Sequence, residues 1–160
     1  MRPTHRTSAT SGTAFSPSIR RSLLGRVALA AAVAMLSGCM LFMRPPQELD
    51  YSRTRTSDGG LYRATIVPQG DSIPKGRLQR WTLHLETSSG AAVDSAVVTV
   101  DGGMPQHGHG LPTKPRVTRA LGNGDHLVEG MKFNMGGWWE VKFRVDAAPG
   151  ADSLVFNLKL

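Results

Sequence analysis

The sequence predicts an all-β domain built as an antiparallel sandwich of about seven strands. Three observations predict it. Apolar and polar residues alternate with period two in segment after segment, as in strands with one buried face. No ten-residue window carries a sustained helical stripe. Short links rich in glycine and proline separate the alternating segments. About seven short strands with turn signals between them describe an immunoglobulin-like sandwich.

The strands follow in order. Residues 61–68 (LYRATIVP) form the first. In RWTLHLET, Trp81, Leu83 and Leu85 share one face, and Thr82, His84 and Glu86 the other. SAVVTVDG places Val98 and Val100 together. RVTRAL (116–121) runs into GNGD, an Asn-Gly turn of the hairpin type. HLVEGMKFNM (126–135) follows, bent at Gly130. WWEVKFRVD turns Trp139, Val141, Phe143 and Val145 inward, with Trp138, Glu140, Lys142 and Arg144 outward. SLVFNLKL closes the chain with Leu154, Phe156, Leu158 and Leu160 on one face.

The chain ahead of residue 61 reads differently. Five arginines and no acidic residue precede the apolar run VALAAAVAML (27–36), which leads into LSGC (36–39). A basic start, a short apolar core and small residues before a cut site describe an export signal. An uncleaved anchor is the alternative, but the apolar stretch is broken by Ser37 and Gly38 and falls short of the roughly 20 residues a spanning helix needs. Leu-Ser-Gly-Cys resembles the lipobox of bacterial lipoproteins. That resemblance implies cleavage before Cys39, lipid on its sulfur and an acylated new amino group. The expected organisation is a signal peptide over 1–38, a lipidated tether over 39–60 and a domain over 61–160. The expected address is the cell envelope, with the outer membrane favoured in a Gram-negative cell because Met40, not Asp, follows the cysteine.

Removing the leader changes the charge. The whole chain carries 19 basic and 12 acidic residues, a net +7. Without the five leader arginines, 14 basic residues face 12 acidic ones, a net +2. Lysines and arginines are scattered, so bulk charge makes no case for nucleic acid. Cys39 is the only cysteine. With it lipidated, the domain has no thiol for catalysis, for a cysteine zinc site or for a disulfide.

The stretch DGGMPQHGHGLPTKP (101–115) is the main candidate site. Met104 offers a thioether, His107 and His109 offer imidazoles, and Gly108 and Gly110 allow sharp turns between them. Soft sulfur selects Cu(I), and imidazole suits copper or zinc, so copper fits a thiol-free set of Met and His. Met131 and Met135 flank KFN on the later strand and could join the set, as could His126, because loops at one end of a sandwich come together. The competing account is core packing: Met131 and Met135 share parity with Phe133, and methionine fills gaps in cores. His84 is expected on a solvated face. Trp138 is expected to be partly exposed, either a plain edge aromatic or a docking residue. No phosphate loop, nucleophile elbow or acid–base pair is visible, so no enzyme is expected.

The run MPQHGHGLPTKPRVTRALGNGDHLVEGMKFNMGGWWEVKFRV resembles the YtkA-like domain, a small bacterial envelope domain similar to the periplasmic FixH family. The features that carry the likeness are the Met-Pro-x-His-x-His loop, the Gly-x-Gly hairpin, and Gly130-Met131-x-Phe133-x-Met135 followed by Gly137-Trp138-Trp139-Glu140-Val141. The likeness covers residues 81–160. It implies a non-enzymatic immunoglobulin-like domain with links to copper handling, oxidase assembly or c-type cytochromes. It also implies Met104, His107 and His109 as metal ligands, with Met131 and Met135 less firmly placed. FixH proteins carry a membrane helix where this chain carries a lipobox, which puts a role inside a membrane-embedded complex in doubt. Two functions follow. One is a copper-binding lipoprotein serving an envelope cytochrome or an oxidase-assembly partner. The other is an interaction module, free of metal, that docks a partner through Trp138.

Overall fold

The computed structural model describes residues 48–160. The expected signal peptide, the lipidation site Cys39 and the first part of the expected tether lie outside the described residues. Among those described there is no helix, and every strand pairing is antiparallel. The strands are β1 (Thr54–Thr56), β2 (Tyr62–Pro68), β3 (Gln79–Thr87), β4 (Ala96–Met104), β5 (His109–Gly110), β6 (Arg116–Gly122), β7 (Asp125–Met131), β8 (Trp138–Ala147) and β9 (Gly150–Lys159). Seven of these are the strands expected from the alternation. The two additions, β1 and β5, are three and two residues long, too short to leave a period-two trace.

The pairing order is β1-β2-β3-β7-β6-β4-β8-β9, with β5 on β4. The join between β6 and β4 is a single residue pair, Thr99 with Arg116. The order therefore behaves as two facing sheets, β1-β2-β3-β7-β6 and β4-β8-β9, hinged at that pair. At the opposite margin β1 lies beside β9. There Asp58 N donates to the Ser153 carbonyl at 2.9 Å, and Asn157 Nδ2 donates to the Asp50 carbonyl at 3.1 Å. The sandwich thus closes almost into a barrel, which shields both outer edges.

The inward positions are those the alternation selected. Trp81, Leu83 and Leu85 from β3 meet Trp139, Val141, Phe143 and Val145 from β8, and Leu154, Phe156 and Leu158 from β9. Each such side chain contributes about 1.5–3 kcal/mol by leaving water. Phe133 sits between two tryptophans, 5.8 Å from Trp81 and 5.2 Å from Trp139, the latter edge-on at 80°. Buried Tyr62 donates its hydroxyl to the Gly150 carbonyl at 2.5 Å, and burial holds its pKa above the usual value. The Asn-Gly turn is as expected: Asn123 and Gly124 both have positive φ, 54° and 79°, as the type I′ hairpin requires.

Three features depart from the sequence reading. First, ordered structure begins ahead of residue 61: β1 pairs with β2 in the register Thr54–Thr65, Arg55–Ala64, Thr56–Arg63. The side chain of Asp152 fastens the link behind β1 by accepting from Gly59 N and Leu61 N. Second, β7 ends at Met131, just after Gly130 turns the chain at φ 87°. Third, Trp138 is buried, 8% exposed, although it points away from the face that holds Trp139. Its Nε1 donates to Asn157 Oδ1 at 3.0 Å, and Asn157 in turn holds the Asp50 carbonyl. The segment entering β1 thus lies over the side on which an exposed tryptophan was expected.

Because each connection reverses the chain, the links alternate between two ends. Links 69–78, 105–115 and 132–137 share one end with the entry at Asp50 and the exit at Leu160. Links 57–61, 88–95, 123–124 and 148–149 share the other.

Candidate functional site

The histidine loop is built on a glycine pair inside β4. A side chain at Gly102 would begin 2.4 Å from the Glu140 carbonyl oxygen, and one at Gly103 would begin 2.5 Å from that of His109. Only glycine lets β8 and β5 approach β4 this closely. β5 then folds back on β4, pairing Met104 with His109 and Gly103 with Gly110. The turn between them is closed by Met104, whose carbonyl accepts from both His107 N and Gly108 N at 3.0 Å. Gly108 takes φ 65°, which a larger residue adopts only with strain.

This geometry brings His107 and His109 together. Both are exposed, and their rings stand 5.6 Å apart between centroids, edge to face at 78°. Two imidazoles that share one ion through nitrogen–metal bonds of about 2 Å place their centroids about 5–6.5 Å apart. The observed centroid spacing falls within that range. Beside His109 runs a groove lined by Asp101, Met104, Pro105, Glu140 and Lys142. Glu140 and Lys142, neighbours on one face of β8, pair at 2.9 Å.

The methionines divide. Met104 is 1% exposed and Met131 is fully buried, and both belong to the core cluster. The end of Met104 packs against Gly137, where a side chain would begin 2.8 Å from its methyl carbon. Met135 lies on the 132–137 link and is 41% exposed, and its carbonyl accepts from Trp139 Nε1 at 3.2 Å. The shared parity of Met131, Phe133 and Met135 therefore breaks at Met135, because β7 has ended and the chain is turning. His126 is buried on β7 with Nε2 bonded to the Val93 carbonyl at 2.7 Å, a core histidine that a hydrogen bond satisfies. Among the described residues, no group of three or more His, Cys, Asp or Glu side chains is placed to hold a metal.

His84, expected in solvent, is instead part of an ionic pair of strands. Its Nδ1 lies 2.7 Å from Asp125 Oδ1 and its Nε2 3.4 Å from Glu86 Oε1. The hydrogen bond to Asp125, more than the contact with Glu86, holds its pKa above the ordinary histidine value. Asp152 moves the other way. Hydrogen bonds from Ser57 and then from Gly59 hold its carboxyl down at about 2.

The glycines that let the strands close around the loop, Gly102 and Gly103, escaped the sequence reading. The signal available was a glycine pair within a run otherwise reading as strand, which marks close backbone approach. The fold and this loop together define a small antiparallel β-sandwich domain with a paired-histidine turn at the end where the described residues enter, at Asp50. Residues 57–144 match the YtkA-like family, and the chain belongs to it. Neither a curated protein nor a solved structure matches the chain.

Proposed function

We propose that this chain is a membrane-attached envelope protein whose YtkA-like domain binds copper at His107 and His109. It catalyses no reaction of its own, and holds the metal for handling or for delivery to an oxidase-assembly or cytochrome partner. The observation that carries the reading is the pair of exposed rings 5.6 Å apart on a turn closed by two hydrogen bonds to the Met104 carbonyl. Two imidazoles and a thioether are a donor set that suits copper. Of Met104, Met131 and Met135, the last has the exposed side chain, at the same end of the domain. Met104 and Met131 serve the core and hold the loop in place. Bound copper would supply a redox-active ion in a solvent-facing position; the protein's part is to fix the two rings and leave the ion reachable. Lipidation at Cys39 supplies the attachment in this reading. Trp138, the residue through which a metal-free module would dock, is 8% exposed, which favours the copper reading.

The test is an anaerobic Cu(I) titration of the full chain in detergent against a chromophoric chelator. The double variant His107→Ala, His109→Ala is expected to lose binding, and Met135→Leu to weaken it about tenfold. Met131→Leu is expected to leave it unchanged. Affinity no tighter than about micromolar in the unaltered chain would overturn the proposal.

A further inference from the structure

The two ends of the domain carry opposite charge. The links at the histidine end, with the last residues of β9, present Lys75, Arg77, Lys114, Lys132 and Lys159. Against these stand Asp71 and, in the groove beside the histidine turn, Asp101 and Glu140, the latter paired with Lys142. The entry segment adds Glu48 and Asp50, with Arg53 and Arg55, and Asp50 is paired with Arg55. The opposite end presents Asp58, Asp94, Asp125 and Asp146, and its links contain no lysine or arginine. Among the described residues, none of the five cations at the histidine end is in an ion pair.

Contacts between the links gather those cations on one surface. Gly76 N donates to the Phe133 carbonyl at 2.7 Å, tying the Lys75–Arg77 link to the Lys132 link. Lys75 Nζ lies 3.7 Å from where a side chain on Gly136 would begin. Thr113 Oγ1 donates to the Gly130 carbonyl at 2.6 Å, bringing in Lys114. Gly137 and Leu160 exchange backbone hydrogen bonds at 2.8 and 3.0 Å, bringing in Lys159. Apolar side chains stand among the charges: Leu78 is 69% exposed, Met135 41% and Tyr51 42%. Lysines interleaved with exposed apolar and aromatic groups are the composition of a membrane-interface surface.

From this we infer that the histidine end of the domain docks on an anionic phospholipid surface, with the acidic end pointing away. Two observations choose a bilayer as the occupant. The charge is complementary to anionic headgroups, and the chain enters the domain at this same end, at Asp50. The preceding sequence contains the apolar stretch 27–36 and Cys39. Each cation held near such a surface adds about fivefold to binding. The effect fades beyond about 8 Å at physiological salt, so the links themselves must reach the headgroups. His107 and His109 then sit at the headgroup level, which suits exchange with a partner embedded in the same membrane. The inference shares bilayer attachment with the proposed function but needs no metal.

The test is hydrogen–deuterium exchange on the full chain bound to vesicles of phosphatidylcholine or of phosphatidylglycerol, with flotation run alongside. Flotation reports attachment, and the difference in exchange between the lipids reports docking. Amides in links 69–78, 105–115 and 132–137 are expected to exchange several-fold more slowly on phosphatidylglycerol. Links 88–95 and 123–124 are expected to exchange equally on both lipids. The variant Lys75→Glu, Lys132→Glu, Lys159→Glu, at exposed or half-exposed positions, is expected to erase the difference while keeping its circular dichroism. Molar salt should do the same. A chain that fails to float with phosphatidylcholine yet is protected on phosphatidylglycerol removes the attachment and keeps the docking surface. Equal exchange on both lipids, protection at the acidic end, or protection that appears only on adding envelope proteins overturns the inference.

Discussion

The methyl end of Met104 stands 2.8 Å from where a side chain on Gly137 would begin, and Gly137 holds φ 124°. That contact fastens the histidine turn to the 132–137 link. Gly137→Ala should therefore cost about 1–3 kcal/mol by overpacking, plus the strain of a positive φ. The urea midpoint is expected to fall. In the double variant Gly137→Ala, Met104→Ala the clash is gone, so the two changes are expected to be clearly non-additive.

Met131 and Met135 separate packing from ligation. Met131→Ala should cost about 2–5 kcal/mol, because it empties a fully buried site. Met135→Ala should change stability by no more than about 0.5 kcal/mol, since its side chain is exposed, while weakening Cu(I) binding. Thermal unfolding and the chelator titration, run on both variants, read the two effects apart. A stable Met131 variant with lost copper binding would reverse the assignment.

Trp138 should behave as a structural residue. Trp138→Ala is expected to cost about 3–5 kcal/mol, removing a buried indole and leaving Asn157 Oδ1 without its donor. Unfolding in urea measures it. An unchanged midpoint would mean that the indole is not packed against the entry segment in solution.

The His84–Asp125 contact gives a pH dependence of defined sign. The folded pKa of His84 is raised above the ordinary 6.5. Its stabilisation is therefore fully present below about 6.5 and is lost as pH rises through the higher folded value. His84 and Asp125 are 36% and 41% exposed, so the effect should stay below about 1 kcal/mol. Urea midpoints across this range should fall with rising pH, and Asp125→Asn should flatten the slope.

Asp152 titrates in the opposite sense. Its folded pKa is held near 2, below the ordinary 3.8. The stabilisation is present above about 3.8 and is lost as pH falls through about 2. Asp152→Ala should free the Gly59 and Leu61 amides, speeding their hydrogen exchange at neutral pH and removing the acid-limb dependence.

Much of the fold was legible because alternation is a local record of a two-sided sheet. Trp81, Leu83 and Leu85 on β3 and Trp139 to Val145 on β8 are inward where the pattern put them. The Asn123-Gly124 turn was legible because so few residues accept two positive φ values in succession. Trp138 was misread because parity reports which face a residue takes, not what lies over that face. Its cover comes from the segment at Asp50, which Asn157 holds from 107 residues away in sequence. The core-packing account fails for Met135 because parity stops where a strand stops, and β7 stops at Met131.

By itself the sequence determined an antiparallel β domain of the YtkA-like family, its inward residues, and a turn with two histidines separated by one glycine. The alternation of strands even implies that this turn lies at the end where the chain enters. Only the tertiary structure decided that the rings stand 5.6 Å apart and that Met104 and Met131 belong to the core. It alone gathers five separated cations on the histidine end and leaves the carboxylates of Asp58, Asp94, Asp125 and Asp146 at the other. The physical reason is range. Period and turn chemistry are set by neighbours in the chain, whereas burial, ring spacing and the grouping of charge are set by segments that meet only when the sheets close.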